Sequence, residues 1–529
     1  MTDWFRRVAG KSPWRRLGVD RGLTAVSATD EAITGWIAAQ PRNRLDAAIC
    51  RLTRAADHSA LWVVVAGILA VRRGAGRKAA ARGLLAIALS SATANGMLKP
   101  LLPRRRPAAA ELPAYRTITD PPTSSSFPSG HAASAAAFAT AVALENPRVA
   151  PAVVPLAAAV AYSRVHVGVH WASDVLAGAA IGSGVALATQ RWWPVRTSDE
   201  ARARPVDTVP ELPQGDGLVI IANPFSGPPD YDVSDEIAEA LPAARLLRVT
   251  ADSRVDDQLR ETIAELGGWV KAVGVAGGDG TVAGAASVAD ELHLPLVVVP
   301  AGTLNHFARD VGVYDLQEAV DASQAGEAVA VDLGLVEAHP GSGDDPENPE
   351  VIRTRYFLNT ASVGSYPELV RLREKWQPRW GKWPAFAAAL VTVLRRSERV
   401  RVRFHDEWKD VWFIFVGNGP YHPRGMVPAW RPTLDSGLLD VRWLRADVRF
   451  SRLRVVAALI LGALGHSRVY HQAEVTELDV ELAVPSMLAT DGEVVEEAGR
   501  YTFRVAKDPV PVYRRDEERW TGRDRPFQG

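Results

Sequence analysis

The feature of this sequence that most constrains its fold is a change of character near residue 200. Before that point, segments rich in Ala, Val and Leu predict helices at 60–71, 83–98, 132–144, 149–162 and 175–189. After it, short Val- and Ile-rich strands alternate with helical stretches up to about residue 313, which is typical of a parallel sheet. Because the two patterns need different cores, the chain is predicted to be multidomain.

The 529 residues also exceed the size of an ordinary single domain. The predicted fold class is an all-α helical bundle, which we expect to be membrane-embedded, followed by an α/β lobe and a β-rich antiparallel lobe. Residues 191–216 mix proline and charge without apolar periodicity, which indicates a linker. The predicted boundaries are 1–57 for a basic N-terminal region with the first helices, 58–190 for the helical domain, 191–216 for the linker, 217–313 for the α/β lobe, 314–510 for the β-rich lobe and 511–529 for a C-terminal tail.

Hydropathy alone leaves membrane insertion open, because each apolar segment is shorter than the roughly 20 residues that a span usually needs. If the helices do span, the basic segment 72–78 and the arginines after residue 190 belong on the cytoplasmic side. The number of crossings stays open, because residues 22–57 carry many charges. Basic and acidic residues are equally numerous, at 61 each, so no net positive field favours a nucleic-acid partner.

Three polar stretches interrupt the apolar helical region: KPLLPRRRP at 99–107, PSGH at 128–131 and SRVHVGVHWASD at 163–174. Cations, a hydroxyl and backbone amides at a helix start can together grip the oxygens of a phosphate. One histidine can attack phosphorus while a second protonates the leaving oxygen. If His170 and Asp174 lie on one helix, they share a face, and the carboxylate can hold one imidazole nitrogen. The candidate residues are Lys99, Arg106, Ser129, Gly130, His131, Arg164, His170 and Asp174.

The patterns K-x6-RP, PSGH and SR-x5-H-x3-D resemble the three signatures of the type 2 phosphatidic acid phosphatase superfamily. The resemblance implies that His170 is the phosphorylated nucleophile, Asp174 its orienting carboxylate and His131 the general acid. It implies a metal-free phosphate cradle of Lys99, Arg106, Ser129, Gly130 and Arg164. His166 is expected to be structural, and Arg104 and Arg105 are expected to be solvated loop charges. The vanadium haloperoxidase class, whose pocket is similar, is the alternative.

The second half carries a glycine-rich turn between an apolar strand and an Ala-rich helix, VKAVGVAGGDGTVAGAA at 270–286. Its glycines let the backbone approach a polyphosphate while the helix start faces negative charge. Asp279 can hold a magnesium ion or its water. Further short motifs surround this turn in sequence: IIANPFSG at 220–227, PAGTLNHFARD at 300–310, VDLG at 331–334, LDSGLLD at 434–440 and TDGE at 490–493.

This ordered series resembles the diacylglycerol kinase catalytic domain family across about residues 217–507. The resemblance implies ATP between the two lobes, a catalytic role for Asp279, and Asp491 and Glu493 as the base for a lipid hydroxyl. The residues implied to contact nucleotide are Asn223, Thr250, Gly277, Gly278, Asp279, Gly280, Thr281, Thr303 and Asn305. The resemblance also implies Mg²⁺, with Asp435 and Asp440 as the nearest carboxylates to an altered metal loop.

Other interpretations of the second half stay open. Family members often continue GGDGT with an Asn-Glu pair, whereas this chain has Val282, Ala283 and Gly284. A kinase-like lobe that binds nucleotide without turnover is therefore an alternative, and an NAD kinase, which shares the GGDG turn, is another. The TDGE motif taken alone is also compatible with a simple β-turn at Asp491.

The sequence thus predicts a bifunctional lipid-phosphate enzyme. One half would be a phosphomonoesterase that works through a phosphohistidine, and the other would transfer phosphate from ATP, with Mg²⁺, to a lipid hydroxyl such as that of diacylglycerol. The predicted partners are lipid substrates and the membrane. The predicted location is the cell membrane, multi-pass, with the kinase domain cytoplasmic.

Overall fold

The structure is a computed structural model. It describes residues 19–71, 74–107, 113–118, 122–195, 200–227, 232–250, 253–302, 305–339, 353–380, 382–396, 398–404 and 407–516. The chain divides between Val195 and Arg196 into two compact units, a helical unit and a mixed α/β unit. Each unit is described by itself.

The helical unit is built from Ala- and Val-rich helices. Their bounds are α1 Val19–Ala39, α2 Leu45–Ala55, α3 Ala60–Val71, α4 Ala75–Ser91, α5 Gly130–Glu145, α6 Ala150–His166 and α7 Ala172–Ala188. A π-helical segment, Ala92–Leu98, extends α4 into a helical turn at Lys99–Leu101. The helices predicted from apolar runs all lie here, and α1 and α2 occupy the charged stretch before residue 57.

Two of these helices are long and apolar enough to cross a membrane once the turns at their ends are included. They are Pro147–His166 and Ala172–Arg191, each 20 residues long. A third candidate in the described part of the chain is the pair Leu45–Ala55 and Asp57–Val71, which is bent by 66°. Apolar side chains also point outward, with Ile68 66% and Leu176 71% exposed. These features indicate membrane association.

A close contact between α5 and α7 positions the first site. The Gly178 and Gly182 positions of α7 lie so near the backbone of α5 that a Cβ at either would collide with the carbonyl oxygen of Ser129 or Ala133. Ser129 is the N-cap of α5, and its hydroxyl accepts a hydrogen bond from Ala132 N at 3.4 Å. Because α5 starts here and α7 starts at residue 172, two of the polar motifs lie at adjacent helix ends.

The mixed unit contains two sheets. Within the described residues the first has the strand order β1-β6-β16-β5-β4-β2-β3, and its central pairs from β16 to β3 are parallel. Its strands are β1 Pro205–Val206, β2 Leu218–Ala222, β3 Arg245–Arg248, β4 Ala272–Gly277, β5 Leu296–Pro300, β6 Ala328–Val331 and β16 Val510–Tyr513. The helices around it are α8 Ser234–Ala240, α9 Val255–Leu266, α10 Asp279–Glu291, α11 His306–Val311 and α12 Leu316–Ala325.

The second sheet is antiparallel in every described pair, with the order β13-β12-β11-β10-β14-β15-β7-β8 and β9 paired to β11 and β14. Its strands are β7 Gly334–His339, β8 Arg353–Phe357, β9 Thr360–Gly364, β10 Val400–Phe404, β11 Glu407–Asn418, β12 Leu439–Arg445, β13 Tyr470–Val475, β14 Glu477–Thr490 and β15 Glu493–Val505. Three helices accompany it, α13 Tyr366–Trp380, α14 Lys382–Arg396 and α15 Ser451–Ile460.

The predicted linker and tail are partly wrong. The described residues from 200 onward belong to the mixed unit, where Ala201 and Leu212 are fully buried and β1 pairs with β6. At the other end, the chain leaves the second sheet after β15, and β16 pairs with β5 and β6 of the first sheet. The proline-rich composition of 191–216 hid these anchors, because a two-residue strand and single buried side chains produce no periodicity.

Candidate active sites

The three polar motifs of the helical unit converge on one cationic pocket. Arg106 lies with Nη1 3.3 Å from Nε2 of His170, and it also donates to the carbonyl oxygen of Val169. Burial lowers the pKa of Lys99, and the neighbouring charges of Arg106 and Arg164 lower it further. Three cations that would repel one another in this way are an arrangement suited to an anion.

His170 is held neutral in this pocket. It is 2% exposed, and burial foremost, with help from Arg106 and Arg164, lowers its pKa to about 4. Its Nδ1 atom lies 3.7 Å from Asp174 Oδ2, beyond hydrogen-bond range, and has no hydrogen-bond partner in the described part of the chain. A neutral imidazole keeps a lone pair available at Nε2, the nitrogen that faces Arg106.

Asp174 is bound by Arg104, which was predicted to be a solvated loop charge. Its Oδ1 accepts from Arg104 Nη1 at 2.6 Å, while Oδ2 accepts from the hydroxyl of Ser126 and from Trp171 N. Arg104 also donates to Asp30 Oδ2 at 2.7 Å. The expectation that Arg104 is a solvated loop charge is therefore wrong. Nothing in the RRR run distinguishes it, since its partner Asp30 lies 74 residues earlier in the chain.

His131 and Arg164 contact the junction of α2 and α3. His131 donates from Nε2 to Asp57 Oδ1 at 2.8 Å, and Arg164 donates from Nη1 to Thr53 Oγ1 at 2.6 Å. Arg164 Nε is buried without a partner among the described residues, so a donor there is left for a bound anion. Asp57 and Thr53 were not singled out from sequence, because neither belongs to a motif.

Two predicted residues of this half lie at its edges. The backbone of Gly130 packs against the side chain of Asn95, where a Cβ would lie 2.5 Å from Oδ1. His166, expected to be structural, donates from Nε2 to Asp46 Oδ1 at 2.8 Å, and Arg116 donates to the same oxygen at 2.9 Å. The buried hydrogen bond between Asp46 and His166 ties α2 to α6.

In the mixed unit, loops at the carboxyl ends of the parallel strands meet around the glycine-rich turn. After β2, Asn223 donates from Nδ2 to Thr281 Oγ1 at 3.0 Å, and Ser226 accepts from Gly278 N. After β5, Asn305 bonds through its side-chain amide to both backbone groups of Gly302. This edge of a parallel sheet is where α/β folds bind ligands.

The other residues predicted to contact nucleotide differ in their distance from the glycine-rich turn. Gly277 ends β4, and Gly278 is the N-cap of α10. Thr250 follows β3 at the same sheet edge, but its hydroxyl contacts Ser253 and Gln258 rather than the glycine turn. Thr303 lies outside the described residues.

The three carboxylates of this half that were predicted to be catalytic come together at the glycine-rich turn. Asp279 accepts hydrogen bonds from His306 N and Phe307 N. Burial raises the pKa of Asp491, and the charge of Asp279 raises it further. Glu493 lies against the start of α10, since a Cβ at Gly280 would be 2.7 Å from its Oε1. The hairpin of β14 and β15 therefore delivers its tip to the glycine-rich turn of the other sheet.

Asp491 combines a turn position with burial. Asp491 and Gly492 form the two-residue connection of the hairpin with positive φ angles of 48° and 91°, as a type I′ turn requires. The Asp491 carboxylate accepts hydrogen bonds from the backbone N–H groups of Leu358, Asn359 and Thr360. The β-turn interpretation of TDGE and a chemical role for its aspartate are therefore compatible.

A pH profile should report on Asp491. Burial foremost raises its pKa to about 6. Below that pH the carboxyl is protonated and cannot accept a proton, so we expect kcat/KM for lipid phosphorylation to rise about tenfold per pH unit and then level off above the pKa. The measurement is a pH–rate profile with subsaturating lipid. A rate that does not change between about pH 5 and about pH 8 would exclude Asp491 as the base.

The predicted magnesium ligand Asp440 is wrong. It is fully buried, and its two oxygens are taken up by Arg442 at 2.6 Å, by Tyr421 N at 2.9 Å and by Gln472 Nε2 at 3.0 Å. The carboxylate neutralises a buried arginine and has no open side. Proximity in sequence to the LDSG loop was the misleading signal.

Asp435 has a different neighbour. This neighbour is Asp332 of the VDLG motif, which was not among the predicted site residues. Asp332 is buried and accepts a hydrogen bond from Gly437 N at 2.6 Å. Burial raises its pKa, and the charge of Asp435 raises it further. Neighbouring carboxylates are ligands that suit a divalent cation, and the described residues contain no cluster of three or more metal-ligating side chains.

Asparagine substitutions should separate these two aspartates. We expect Asp440→Asn to lower the free energy of unfolding by about 3 kcal/mol, because the charge of Arg442 loses its buried partner, and to leave the magnesium dependence of kinase activity unchanged. Asp435→Asn should leave the free energy of unfolding unchanged and should shift the magnesium dependence of kinase activity. Thermal unfolding and activity titrated with magnesium measure the two effects; a shifted magnesium midpoint in Asp440→Asn would contradict the assignment.

The same unit contains a small apolar cavity of about 40 Å³. It is lined by residues of α13, α14, β11, β12 and α15, among them Tyr366, Phe415 and Leu459. The Phe415 ring contacts the Tyr421 ring edge-on at 5.7 Å, and the Tyr421 hydroxyl donates to Asn359 O. Asn359 in turn donates its N–H to Asp491, so a short chain of contacts links the cavity wall to this carboxylate.

Two family models match the chain. The PAP2 superfamily model matches residues 80–198, and the diacylglycerol kinase catalytic domain model matches residues 217–336. The chain therefore carries a PAP2 superfamily domain followed by a diacylglycerol kinase catalytic domain. Both belong to enzyme families, one of phosphatases and one of lipid kinases, and ATP is the phosphate donor of the kinase family.

Individual relatives also match parts of the chain. A diacylglycerol kinase of Mycobacterium tuberculosis (strain ATCC 25618 / H37Rv) is 26% identical over 203 residues, which cover 36% of this chain and 60% of the relative. A lipid A 1-phosphatase of Rhizobium johnstonii is 45% identical over 64 residues, which cover 12% of this chain and 26% of the relative. The crystal structure of a putative diacylglycerol kinase from Bacillus anthracis str. Sterne is 18% identical with a TM-score of 0.41, and the match covers 57% of this chain and 98% of that one.

Proposed function

We propose that this chain is a bifunctional lipid-phosphate enzyme, with a phosphatase in the helical unit and a lipid kinase in the mixed unit. The observation that carries the proposal is the convergence of motifs from distant parts of the sequence on two separate anion-binding constellations. One surrounds the neutral imidazole of His170, and the other joins the glycine-rich turn to Asp491.

The phosphatase reaction uses two histidines. The lone pair on His170 Nε2 forms a bond to phosphorus, and the bond from phosphorus to the lipid oxygen breaks. His131 gives its proton to that oxygen, then takes a proton from the water that hydrolyses the phosphohistidine. Lys99, Arg106 and Arg164 hold the phosphate oxygens. The unpartnered donor at Arg164 Nε supports a bound anion there.

Asp174 and Arg104 form no bond to the substrate and act on the His170 ring instead. The carboxylate stabilises positive charge that develops on the His170 ring, while Arg104 and Ser126 hold the carboxylate in place. The 3.7 Å separation between His170 Nδ1 and Asp174 Oδ2 closes to a hydrogen bond when the ring gains charge.

The kinase reaction uses Asp491 as the base. It takes the proton of a lipid hydroxyl, whose oxygen then bonds to the γ-phosphorus of ATP as the bond to ADP breaks. The glycine-rich turn and the side chains of Asn223, Thr281 and Asn305 bind the nucleotide phosphates. Magnesium, when bound, neutralises charge on those phosphates, and the candidates to hold it are Asp279 and the pair of Asp332 and Asp435.

A lipid is favoured over NAD as the acceptor because the matched kinase family is that of diacylglycerol kinases. The apolar cavity has aliphatic and aromatic walls, but its volume of about 40 Å³ is far below that of an acyl-chain site, so it contributes apolar surface only. Diacylglycerol is the acceptor proposed. The chain would be a multi-pass membrane protein whose kinase half faces the cytoplasm, where ATP is available.

Assays on the purified full chain in mixed micelles test both halves. We expect phosphate release from phosphatidic acid, and phosphatidic acid formation from diacylglycerol with ATP and magnesium. Vanadate-dependent halide oxidation without phosphate release would favour the haloperoxidase class. Phosphorylation of NAD instead of lipid would favour an NAD kinase, and ATP binding without turnover would favour a nucleotide-binding lobe that regulates the phosphatase.

A further inference from the structure

Helix α15 of the mixed unit exposes an apolar face that its own fold does not cover. Its inner side is conventional, because Val455 is fully buried and Leu459 lines the apolar cavity. On the outer side, Phe450, Leu453, Ile460 and Leu461 are 63%, 67%, 69% and 63% exposed. We call these four residues the outer face of α15. A helix that is apolar on both sides is unusual at a water-exposed surface.

The segment around this face is strongly basic. From residue 449 to residue 468 the sequence holds four arginines and no aspartate or glutamate. All four, Arg449, Arg452, Arg454 and Arg468, are exposed. The nearest upstream acid, Asp447, is paired to Arg445 at 2.6 Å. Exposed aliphatic and aromatic side chains flanked by arginines are the pattern of helices that lie in the interface of an anionic bilayer.

The arginines are arranged beside the apolar side chains. The guanidinium of Arg449 lies 4.9 Å from the ring centroid of the exposed Phe450. That of Arg452 lies 4.6 Å from the ring centroid of Trp412, which is 2% exposed and is not part of the outer face. Arg454 donates from Nε to Arg449 O at 3.1 Å. An aromatic ring with a cation above it can enter the headgroup region while the cation meets phosphate.

We propose that the outer face of α15 docks into the headgroup and upper acyl region of a bilayer that contains anionic lipids. A second copy of the chain fits this face less well, since a two-fold contact would bring the four arginines against the same four arginines. A bilayer supplies both complements at once, hydrocarbon for the four apolar side chains and phosphate for the flanking guanidinium groups.

Docking would also place the wall of the cavity at the lipid layer, because one helix carries both faces. This consequence rests on the proposed function: a lipid acceptor could then reach the apolar side chains of that wall without crossing water. The docking itself does not depend on catalysis.

Site-specific fluorescence on the full chain in vesicles tests the docking. A Cys50→Ser background carries either Leu453→Cys or, as a matched control, Val484→Cys, since Val484 is 73% exposed on β14. Each is labelled with an environment-sensitive nitrobenzoxadiazole probe. We expect lipid-borne spin labels to quench the probe at 453 at least about fivefold more than the probe at 484 in vesicles with anionic lipid, and the difference to shrink at high salt.

Two results would overturn the proposal. If iodide in the water quenches both probes equally in anionic vesicles, the outer face is not docked. If the probe at 453 is shielded from iodide and from the lipid-borne label alike, protein covers the face, either from the helical unit or from a second copy.

An activity measurement adds an independent readout. We expect Leu453→Glu, compared with Val484→Glu, to lower phosphorylation of long-chain diacylglycerol in vesicles at least about fivefold and to leave a short-chain, water-soluble diacylglycerol unaffected. Equal losses on both substrates would argue against docking. A chain with no kinase activity at all would refute the proposed function, whereas the fluorescence result would still decide the docking.

Discussion

His170→Asn should lower phosphate release from phosphatidic acid by about 10³-fold or more, the scale of losing a covalent nucleophile. The side chain is buried, held neutral and set beside Arg106, so its removal takes away the lone pair that would bond to phosphorus. Asparagine keeps a polar atom near the position of Nδ1 and leaves the cationic cradle intact. Kinase activity of the same preparation should stay within about twofold of the original.

The control for this variant is His58→Asn. His58 is exposed and has a φ angle of 52°, a left-handed conformation that asparagine tolerates well. We expect it to retain phosphatase activity. A rapid quench at alkaline pH, where phosphohistidine survives, should show labelled protein for the unsubstituted chain and none for His170→Asn. Labelled protein in the variant would place the nucleophile elsewhere.

Asp491→Asn should lower lipid phosphorylation by about 10³-fold, within the range for removal of a general base. An amide cannot take the proton of the lipid hydroxyl, whereas the nucleotide-binding turn on the other sheet is unchanged. ATP binding should therefore persist and phosphatase activity should be normal. The carboxylate accepts hydrogen bonds from three backbone N–H groups, so its replacement can also change stability. The variant must therefore be shown to unfold at a temperature close to that of the original chain.

Asp479→Asn is the matched control for that experiment. Asp479 lies on the same hairpin, where it is exposed and paired with Arg500 at 2.8 Å. Exposed pairs of this kind contribute little stability, so we expect both activities to be retained. If Asp491→Asn kept most of its kinase activity, Glu493 would become the candidate base.

Local patterns predicted much of the helical unit. An uninterrupted apolar run produced α3 where the sequence placed it, and the PSGH motif begins α5 with Ser129 as its cap. The glycine-rich turn between β4 and α10 was equally legible, because strand, turn and helix are contiguous. In each of these cases the determining residues are neighbours in the chain.

Contacts between residues far apart in the chain could not be predicted from the sequence. Arg104 gained its role from Asp30, and His131 is held by Asp57, neither of which stands in a motif. Asp440 was misassigned for the opposite reason: it stands beside a motif, yet Arg442 and the fold around it close off its oxygens. Such contacts depend on which strands and helices become neighbours, and that information is spread over the whole sequence.

The most direct test of the central claim, two independent sites in one chain, is a coupled reaction with ATP labelled at the γ-phosphate. In mixed micelles with diacylglycerol, the unsubstituted chain should move the label to lipid and then release it as inorganic phosphate, and without diacylglycerol it should release almost none. His170→Asn should stop at labelled lipid, Asp491→Asn should release nothing, and a mixture of the two variants should restore release. Failure of the mixture to release phosphate, or release that needs no diacylglycerol, would contradict the account.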